Sequence, residues 1–595
     1  MAAKTTAGLL CVFLLAMIGS AQPNAPLLFS ALNSASYDRS AIAQGSLFVV
    51  FGQNIGPVQI AQASAFPLPA QLGGTAIAVS VGSTTLNCPM VYSLVGQAAA
   101  ILPSNTPPGQ ATLMLTYNGV QSPYPVSINV VPTAAGIYTL SSSGLGPGVF
   151  TALDNSVKTF TATAKPGDIV TAWATGLGPI GSPDNVLPSS FPNFGGVEVF
   201  VGTQAASVIY AGRSGCCSGV DQIAFAIPAG VTGCYLPVAV RRGGTLSNFV
   251  TIAVSGNGAA CSDTAPTVPT SIYSRAAAGQ AIKTAAIAIG PLPLLRDAGF
   301  NQRQYLAETL SKLLHVKVSE QDATTLLRAI EAKNHRAVMR TMVKYASALK
   351  ALDAAAKAKV QAQLTSSQQG TAAAFGQYGT AGILASAMGS LFPSAGTCIV
   401  PQLSSGLPGT SSGSSSKGLD AGASLSLSGQ VGSWTLTPTS TGQYQVVFGS
   451  TPSGPNVPPG AYTLSGPGGK DVGAFTAALN IGANIVWTNK SAVSTVDRSQ
   501  PLSITWSGGS NPGYVLLGGY SDSSNHQPSG FLCTVDASKG SFTIPSFILS
   551  ALQVTGTRGV MFIGPHPLSR QVTIPGIDLA YFADASSDSK SLTFQ

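Results

Sequence analysis

The sequence predicts a mainly β protein with two tandem immunoglobulin-like β-sandwiches, an α-helical middle region and a C-terminal β-sandwich domain. Three observations predict this fold class. Short apolar runs alternate with Gly and Pro turns through most of the chain, one such pattern occurs twice, and the strand signals stop between about residues 271 and 365. Because 595 residues are too many for one core, we expect several domains.

The repeated pattern is a strand that runs into a Gly-Pro turn. Its first copy is Gly45–Pro57 and its second is Gly167–Pro179. The glycine pairs Gly73-Gly74 and Gly195-Gly196, each followed by another apolar run, are also 122 residues apart. A shared offset indicates a duplicated domain, so we predict one immunoglobulin-like domain over residues 27–135 and its duplicate over 136–262.

The composition and the N-terminus predict export. Charged residues make up 8% of the chain, against about 25% in ordinary soluble domains. Lys4, the apolar run Leu9–Ile18 and the small residues Gly19-Ser20-Ala21 have the pattern of a signal peptide at residues 1–21. We therefore predict a secreted, extracellular or cell-surface protein and not a cytosolic helical enzyme.

Seven cysteines remain after the predicted signal peptide, and export makes disulfides the expected state. The four in the second domain could form two bridges, and spacing does not decide the pairing. We expect each member of the adjacent pair to bond elsewhere and not to its neighbour; a zinc site is the less favoured alternative, since no Cys-x-x-Cys pair is present. Cys88 is left over, either buried or intermolecular. The six disulfide candidates are Cys216, Cys217, Cys234, Cys261, Cys398 and Cys533, of which the last two could close a long loop.

Residues 30–260 also carry a family resemblance. The segments that carry it are Asn33–Tyr37, Ala43–Ser46, Ala164–Asp168, Thr175–Pro179, Tyr210–Gly212 and Gln222–Pro228. These segments resemble the Solibacter-type C-terminal domain, an uncharacterised family of secreted acidobacterial proteins. The resemblance implies secretion and an immunoglobulin-like architecture, and it implies no activity. This chain departs from the family pattern in having the region directly after the signal peptide and in the extra cysteines of its second copy.

The region 271–395 is predicted to be helical and basic. An alanine-rich stretch, Ile272–Ile289, precedes apolar residues at helical spacing, and Ala372–Phe392 is predicted to be a small-residue helix that is not a stable transmembrane segment. Between residues 271 and 365 there are 14 Lys and Arg against 6 Asp and Glu, a surplus of eight that equals the net charge of the whole chain. Four cations at helical spacing form a basic stripe: Lys333, Arg336, Arg340 and Lys344.

The basic stripe is the candidate site for anionic ligands. Anionic envelope components are the expected partners, and nucleic acid is not, because the chain is exported and no aromatic residues lie among the cations. The favoured interpretation, however, is that these cations form a solvated face of a helical spacer. After the helical region we predict a Gly/Ser linker at 404–418, a β domain at 419–584 and a polar tail at 585–595.

No residue set in the sequence predicts catalysis, a cofactor or a metal site. The four histidines are scattered, and the Gly-x-Ser-x-Gly spelling at 409–413 falls in the linker. We therefore expect a non-catalytic protein with an adhesion or binding role towards extracellular polysaccharide or envelope. One alternative is a secreted carbohydrate-active enzyme with unrecognised catalytic residues, which would need two acids roughly 5 to 10 Å apart. The other is a purely structural spacer. Four tryptophans are candidates for sugar stacking, although core positions are favoured: Trp173, Trp434, Trp487 and Trp506.

Overall fold

The computed structural model describes residues 25–188, 193–261, 267–291, 302–331, 335–354, 357, 369–378, 393–401, 417–430, 432–448, 458–509, 513–522, 528–555, 559–566, 570–584 and 587–595. The predicted signal peptide at 1–21 and most of the predicted linker at 404–418 lie outside the described residues.

Residues 27–131 form the first sandwich, two mainly antiparallel sheets that face each other across one core. Its strands are β1 (Leu27–Asn33), β2 (Ile42–Ala43), β3 (Leu47–Gln53), β4 (Ala61–Gln62), β5 (Gln71–Leu72), β6 (Thr75–Val81), β7 (Thr84–Asn87), β8 (Met90–Leu94), β9 (Gln97–Ile101), β10 (Gly109–Tyr117), β11 (Val120–Gln121) and β12 (Val126–Val131). One sheet has the order β1-β3-β9-β8-β4 and the other β2-β12-β10-β6-β5. Inward-facing residues such as Phe48, Ile77 and Leu113 fill the space between them, together with the free thiol of Cys88.

Residues 136–254 form the second sandwich. Its strands are β13 (Gly136–Ile137), β14 (Phe150–Thr151), β15 (Ile169–Thr175), β16 (Glu198–Val201), β17 (Gln204–Arg213), β18 (Asp221–Ala226), β19 (Gly233–Arg242), β20 (Thr245–Leu246) and β21 (Val250–Val254). The long strand β17 pairs with β16 through its first half and with β18 through its second, so the sheet closes over a core that includes Val170, Phe225 and Val238. Both copies of the repeated pattern form a strand, β3 and β15, in agreement with the predicted immunoglobulin-like class.

The rest of the chain has the following elements in order. They are α1 (Thr270–Ala277), β22 (Ile282–Pro291), α2 (Gln302–Leu314), α3 (Glu320–Glu331), α4 (His335–Met342), a 3-10 turn (Val343–Tyr345), α5 (Ala346–Ala351), β23 (Gln369–Tyr378), β24 (Thr397–Ile399), β25 (Lys417–Gly418), β26 (Leu425–Gly429), β27 (Gly432–Ser440), β28 (Gln443–Val447), β29 (Gly460–Gly466), β30 (Phe475–Ile481), β31 (Val486–Trp487), β32 (Thr495–Val496), β33 (Leu502–Ser507), β34 (Tyr514–Asp522), β35 (Pro528–Asp536), β36 (Ser541–Ile544), α6 (Ser546–Ser550), β37 (Gly559–Pro565), β38 (Gln571–Val572), β39 (Leu579–Asp584) and β40 (Asp588–Phe594).

The predicted helical region also contains two strands, which differs from the expectation for 271–395. The alanine-rich stretch begins in helix α1, but its second part, from Ile282, is strand β22. β23 replaces the start of the predicted small-residue helix, and residues 379–392 lie outside the described residues. The two strands pair with each other, and β22 also pairs with β39 in parallel. Ile287, Ile289 and Phe375 are buried against the sheet that follows. Burial of this apolar face outweighs the helix propensity of the alanines.

Helices α2 to α5 are therefore an insertion between two neighbouring strands. They pack on a small core of their own around Leu306, Leu310 and Leu326. No helix in the described part of the chain is long and apolar enough to cross a membrane.

The β region after residue 417 has two cores, where one sandwich was expected. The first belongs to the ten-stranded sheet β30-β29-β26-β27-β28-β23-β22-β39-β38, to which β25 adds through β23. The second lies between the sheet β24-β35-β34-β37-β40-β32 and the sheet β31-β33-β36. The expected polar tail is strand β40, because Leu592 and Phe594 are buried in this second core while Ser589 and Ser591 are exposed.

The disulfides agree with one expected pairing and correct another. Cys398 and Cys533 are bonded, as are Cys234 and Cys261. Cys216 and Cys217 are bonded to each other, contrary to the expectation that each would bond elsewhere. The reason is topological: both lie in the tight turn between β17 and β18, while Cys234 on β19 is already bonded to Cys261.

Candidate functional site

A polar cleft of about 500 Å³ is formed by loops of the first and second sandwiches. Its first-sandwich wall consists of Leu68, Ala70, Asn87, Pro89, Pro103, Ser104 and Asn105. Its second-sandwich wall is the continuous segment Ile180–Asn185, which follows the second copy of the repeated Gly-Pro turn. The cleft thus lies where the duplicated pattern meets the other sandwich.

The glycines of the second copy direct residues 180–185 into the cleft. Gly176 and Gly178 have φ angles of +92° and +143°, which side-chain-bearing residues rarely adopt. A Cβ atom on Gly176 would lie 2.2 Å from the carbonyl oxygen of Ala134. The chain can therefore turn this closely after β15 only with glycine at that position.

Asp184 is held by the first sandwich. Its two carboxylate oxygens accept hydrogen bonds from the backbone N–H of Ser104 at 2.6 Å and from the Ser104 hydroxyl at 2.8 Å. The same hydroxyl oxygen accepts a bond from the Ile180 N–H at 3.0 Å. Burial raises the pKa of Asp184, while the Ser104 bonds and the charge of Arg213 oppose that rise. Asp184 therefore fixes the two walls relative to each other.

A buried ion pair lies behind the cleft. The Arg213 guanidinium donates to Asp221 Oδ1 at 2.6 Å and to the carbonyl of Gly178 at 2.8 Å, and both charged side chains are at most 1% exposed. The other carboxylate oxygen of Asp221 accepts a bond from the Leu177 N–H at 2.8 Å. Burial raises the pKa of Asp221 to about 6 against the lowering effect of Arg213. The pair stabilises the turn that carries residues 180–185.

The turn with the vicinal disulfide completes the support of the cleft. In this turn, the Ser218 hydroxyl donates to the carbonyl of Asp184, and the carbonyl of Gly219 accepts a bond from the Thr175 hydroxyl at 2.6 Å. The Thr175 oxygen in turn accepts a bond from the Leu47 N–H of the first sandwich at 2.9 Å. The cleft is thus built on a hydrogen-bonded contact between the two sandwiches.

Three carboxamides around the cleft have no hydrogen-bonding partner for their side chains among the described residues. They belong to Asn87 and Asn105 on one wall and Asn185 on the other, and the hydroxyl of Ser182 is also without a partner there. Each carboxamide can donate and accept hydrogen bonds. Leu68, Pro103 and Ile180 supply apolar surface between these polar groups.

This arrangement suits recognition of a neutral, hydroxyl-rich ligand. Carboxamides pair with hydroxyl groups in either direction, and apolar patches accommodate the C–H faces of a sugar ring. Asp184 is the one carboxyl among the described residues that line the cleft. In the part of the chain that the structure describes, no three His, Cys, Asp or Glu side chains are grouped so that they could hold a metal ion.

The predicted basic stripe is divided in the structure. Arg336 and Arg340 are exposed on α4, and Lys344 donates to Asp322 of α3 at 2.6 Å, which engages its charge within the insertion. That ammonium is the largest cause of the lowered pKa of Asp322, which is about 2. Lys333 lies outside the described residues. Two guanidinium groups therefore remain as the outward-facing part of the stripe.

The tryptophans line neither wall of the cleft. Trp487 and Trp506 are 3% and 5% exposed in the last core, and Trp173 and Trp434 are half-buried in strands. Sequence reasoning favoured core positions for them and missed the cleft. One feature of the sequence could have indicated the cleft. Charged residues make up only 8% of the chain, yet Arg213 and Asp221 lie at the two ends of one short turn.

Neither a family model nor a curated protein sequence matches the chain. Among solved structures, the chain is similar to the Yersinia pseudotuberculosis adhesin InvE, with 17% sequence identity and a TM-score of 0.12. The match covers 41% of this chain and 64% of that one, so this chain spans just under two thirds of that adhesin chain. It is also similar to domains 4–9 of surface layer protein SbsC, with 9% identity, a TM-score of 0.15 and coverage of 96% and 82%. A third similar structure is Bacteroides ovatus SGBP-B, solved with a mixed-linkage heptasaccharide. Its sequence identity is 9% and its TM-score 0.12, over 89% of this chain and 94% of that one. Likenesses this low carry no argument about function.

Proposed function

We propose that this chain is a secreted or cell-surface binding protein that holds extracellular polysaccharide in the cleft between its first two sandwiches. One observation carries the proposal: the unpartnered carboxamides of Asn87, Asn105 and Asn185 line a cleft whose walls are fixed by hydrogen bonds. Because hydrogen bonds hold the backbone of both walls, a ligand would have to order only the carboxamide side chains when it binds. The three disulfides fit an oxidising extracellular compartment.

Binding fits the cleft better than hydrolysis does. A glycosidase needs two carboxyl groups on opposite sides of the scissile bond. Asp184 alone supplies a carboxyl among the described cleft residues, and both of its oxygens already accept bonds from Ser104. We therefore propose a non-catalytic role in adhesion or polymer retention.

Calorimetric titration of the full chain with a panel of neutral and acidic polysaccharides tests the proposal. We expect at least one neutral polysaccharide to bind, and Asn105→Ala and Asn185→Ala each to weaken it about fivefold, as expected for one lost hydrogen bond. Asn480→Ala is the matched control, because Asn480 is an exposed carboxamide on β30 far along the chain from the cleft.

Two results would overturn this assignment. The first is that no polysaccharide binds the wild-type chain at millimolar concentration. The second is that binding persists unchanged in the double variant Asn105→Ala/Asn185→Ala, which would place the ligand elsewhere. Binding that is lost when Arg336 and Arg340 are replaced by Gln, and that weakens with salt, would instead assign the ligand to the basic stripe.

A further inference from the structure

A second cavity, of about 250 Å³, lies at the edge of the second sandwich near the Cys234–Cys261 disulfide. Its walls come from the segment before β14, the loop 158–161, strand β21 and helix α1. The residues that shape it are Leu140, Phe150, Lys158, Phe160, Ile252 and Tyr273. An apolar cavity of about 150 Å³ is enough to bind benzene. This one has room for a larger apolar group.

Aromatic rings hold the wall of the cavity in place. The ring of Phe160 lies 5.0 Å from the ring of Tyr235 and 5.0 Å from the ring of Tyr273, measured between centroids. The carbonyl of Phe160 accepts a hydrogen bond from the Cys261 N–H at 2.7 Å. The disulfide partner of Cys261 is Cys234, which itself lines the cavity. Phe160 is thus fixed by packing and by the backbone, and it remains half-exposed towards the cavity.

The cavity has one cationic group. The Lys158 ammonium makes a single long hydrogen bond, 3.4 Å, to the carbonyl of Thr163. Among the described residues no carboxylate oxygen lies within 4.0 Å of it, whereas seven other cations of the described chain form ion pairs. An anionic group of a ligand could therefore bind Lys158 while the apolar part fills the cavity.

From this geometry we infer that the second sandwich binds a small aromatic carboxylate, with its ring system against Phe160 and its carboxylate on Lys158. This site is independent of the polysaccharide cleft, which lies between the two sandwiches and shares none of its lining residues. The exposed carboxyl of Asp154 interacts with the Lys158 charge, but at a distance longer than an ion pair. The ligand class follows from the volume, the aromatic wall and this ammonium together.

The probes are 2-naphthoate and its neutral analogue 2-naphthamide, titrated into the full chain by calorimetry. We expect 2-naphthoate to bind at least tenfold more tightly than 2-naphthamide, since a charge-assisted hydrogen bond contributes about that factor or more. Lys158→Gln should remove the difference between the two probes. Lys539→Gln, which changes an exposed lysine in another unit, should leave it unchanged.

A second variant separates binding from folding. Ser274 is exposed on α1 and lines the cavity, so Ser274→Trp should fill the mouth without disturbing the core, and its urea midpoint should match the wild type. We expect this variant to lose both probes. Failure of the wild-type chain to bind 2-naphthoate at millimolar concentration would overturn the inference. So would equal binding of the two probes, or full binding by Ser274→Trp.

Discussion

Arg213 and Asp221 form a buried ion pair in a chain that has few charges. The guanidinium Nε has no hydrogen-bonding partner in the described structure, and the direct partners of the group are the carboxylate of Asp221 and the carbonyl of Gly178. The carboxyl of Asp184 interacts with the Arg213 charge at longer range. A buried cation without its counter-ion is unstable in an apolar surrounding. The turn that carries residues 180–185 therefore depends strongly on this residue pair.

We expect Asp221→Asn to lower the free energy of unfolding by about 3–5 kcal/mol, because it leaves Arg213 buried without its hydrogen-bonded counter-ion. Urea denaturation measures this change. The control is Glu198→Gln, which breaks the exposed pair with Arg241 and should cost less than about 1 kcal/mol. Equal losses in the two variants would show that the buried pair has no special role.

The buried His566 predicts acid sensitivity. Burial lowers the pKa of its imidazole from 6.5 to about 3. Between these values the unfolded state takes up a proton that the folded state does not, so stability present above pH 6.5 is lost as the pH falls towards 3. The loss is roughly 1.4 kcal/mol per pH unit.

We expect His566→Leu to remove this part of the pH dependence. Urea denaturation at pH 7, 5.5 and 4.5 should show a smaller loss of stability in the variant than in the wild type. Asp221, whose raised pKa acts in the opposite direction, is present in both proteins and cancels in the comparison. Parallel curves for the two proteins would contradict the prediction.

At the scale of elements, the turn after β15 is what converts a repeated pattern into a site. In the second copy, Gly176 places its backbone against Ala134, and Gly178 supplies the carbonyl that Arg213 binds. In the first copy, the Ile55 carbonyl of the corresponding turn accepts a hydrogen bond from the Thr75 hydroxyl, within the first sandwich. The turn of the repeated unit therefore serves the contact between the sandwiches in the second copy and internal packing in the first.

Two glycines of the second copy allow the cost of an unfavourable backbone conformation to be measured apart from the cost of a steric clash. Gly167 and Gly176 have similar φ angles, +87° and +92°, but a Cβ atom on Gly167 meets no atom within 4 Å. We expect Gly167→Ala to cost about 1–2 kcal/mol through conformation alone. Gly176→Ala should cost clearly more, because its Cβ would overlap the carbonyl of Ala134. Thermal unfolding of both variants checks the order, and a reversed order would refute it.

At the scale of the whole molecule, the chain returns to strands that it formed much earlier. β22 pairs with β39, almost 300 residues later, and Cys398 on β24 is bonded to Cys533 on β35. Phe200 of the second sandwich stacks on Phe547 of the last core, with ring centroids 4.0 Å apart. These contacts join segments that are distant in sequence.

The Cys398–Cys533 and Cys216–Cys217 disulfides should differ in their effect on stability. Cys398–Cys533 closes a loop with a sequence separation of 135, so its removal by paired Ser substitutions should cost about 4–5 kcal/mol in the chain-entropy account. Cys216–Cys217 closes no loop, and its removal should leave the global unfolding transition nearly unchanged. Calorimetry under oxidising conditions measures both, and a larger loss for the vicinal pair would refute the loop argument.

The local patterns of the chain were sufficient to predict the mainly β class, the repeated strand and turn, the Cys398–Cys533 pair and a helical segment. The strands, the turns and the helix depend on the spacing of apolar residues and on Gly and Pro, which act over a few residues. The Cys398–Cys533 pair followed instead from the number and placement of the cysteines. The alanines of β22 and β23 have high helix propensity, but they are strand residues because two neighbouring strands bury them.

The cleft, the cavity and the vicinal disulfide were decided by the tertiary structure. Asn87 is the last residue of β7, Asn105 and Asn185 lie in separate loops, and nothing in their local sequence relates one to another. Likewise, Tyr273 joins Phe160 in the wall of the cavity only because α1 packs on the second sandwich. Binding surfaces of this kind depend on which distant loops become neighbours, and that outcome follows from the burial of whole sheets and not from any short motif.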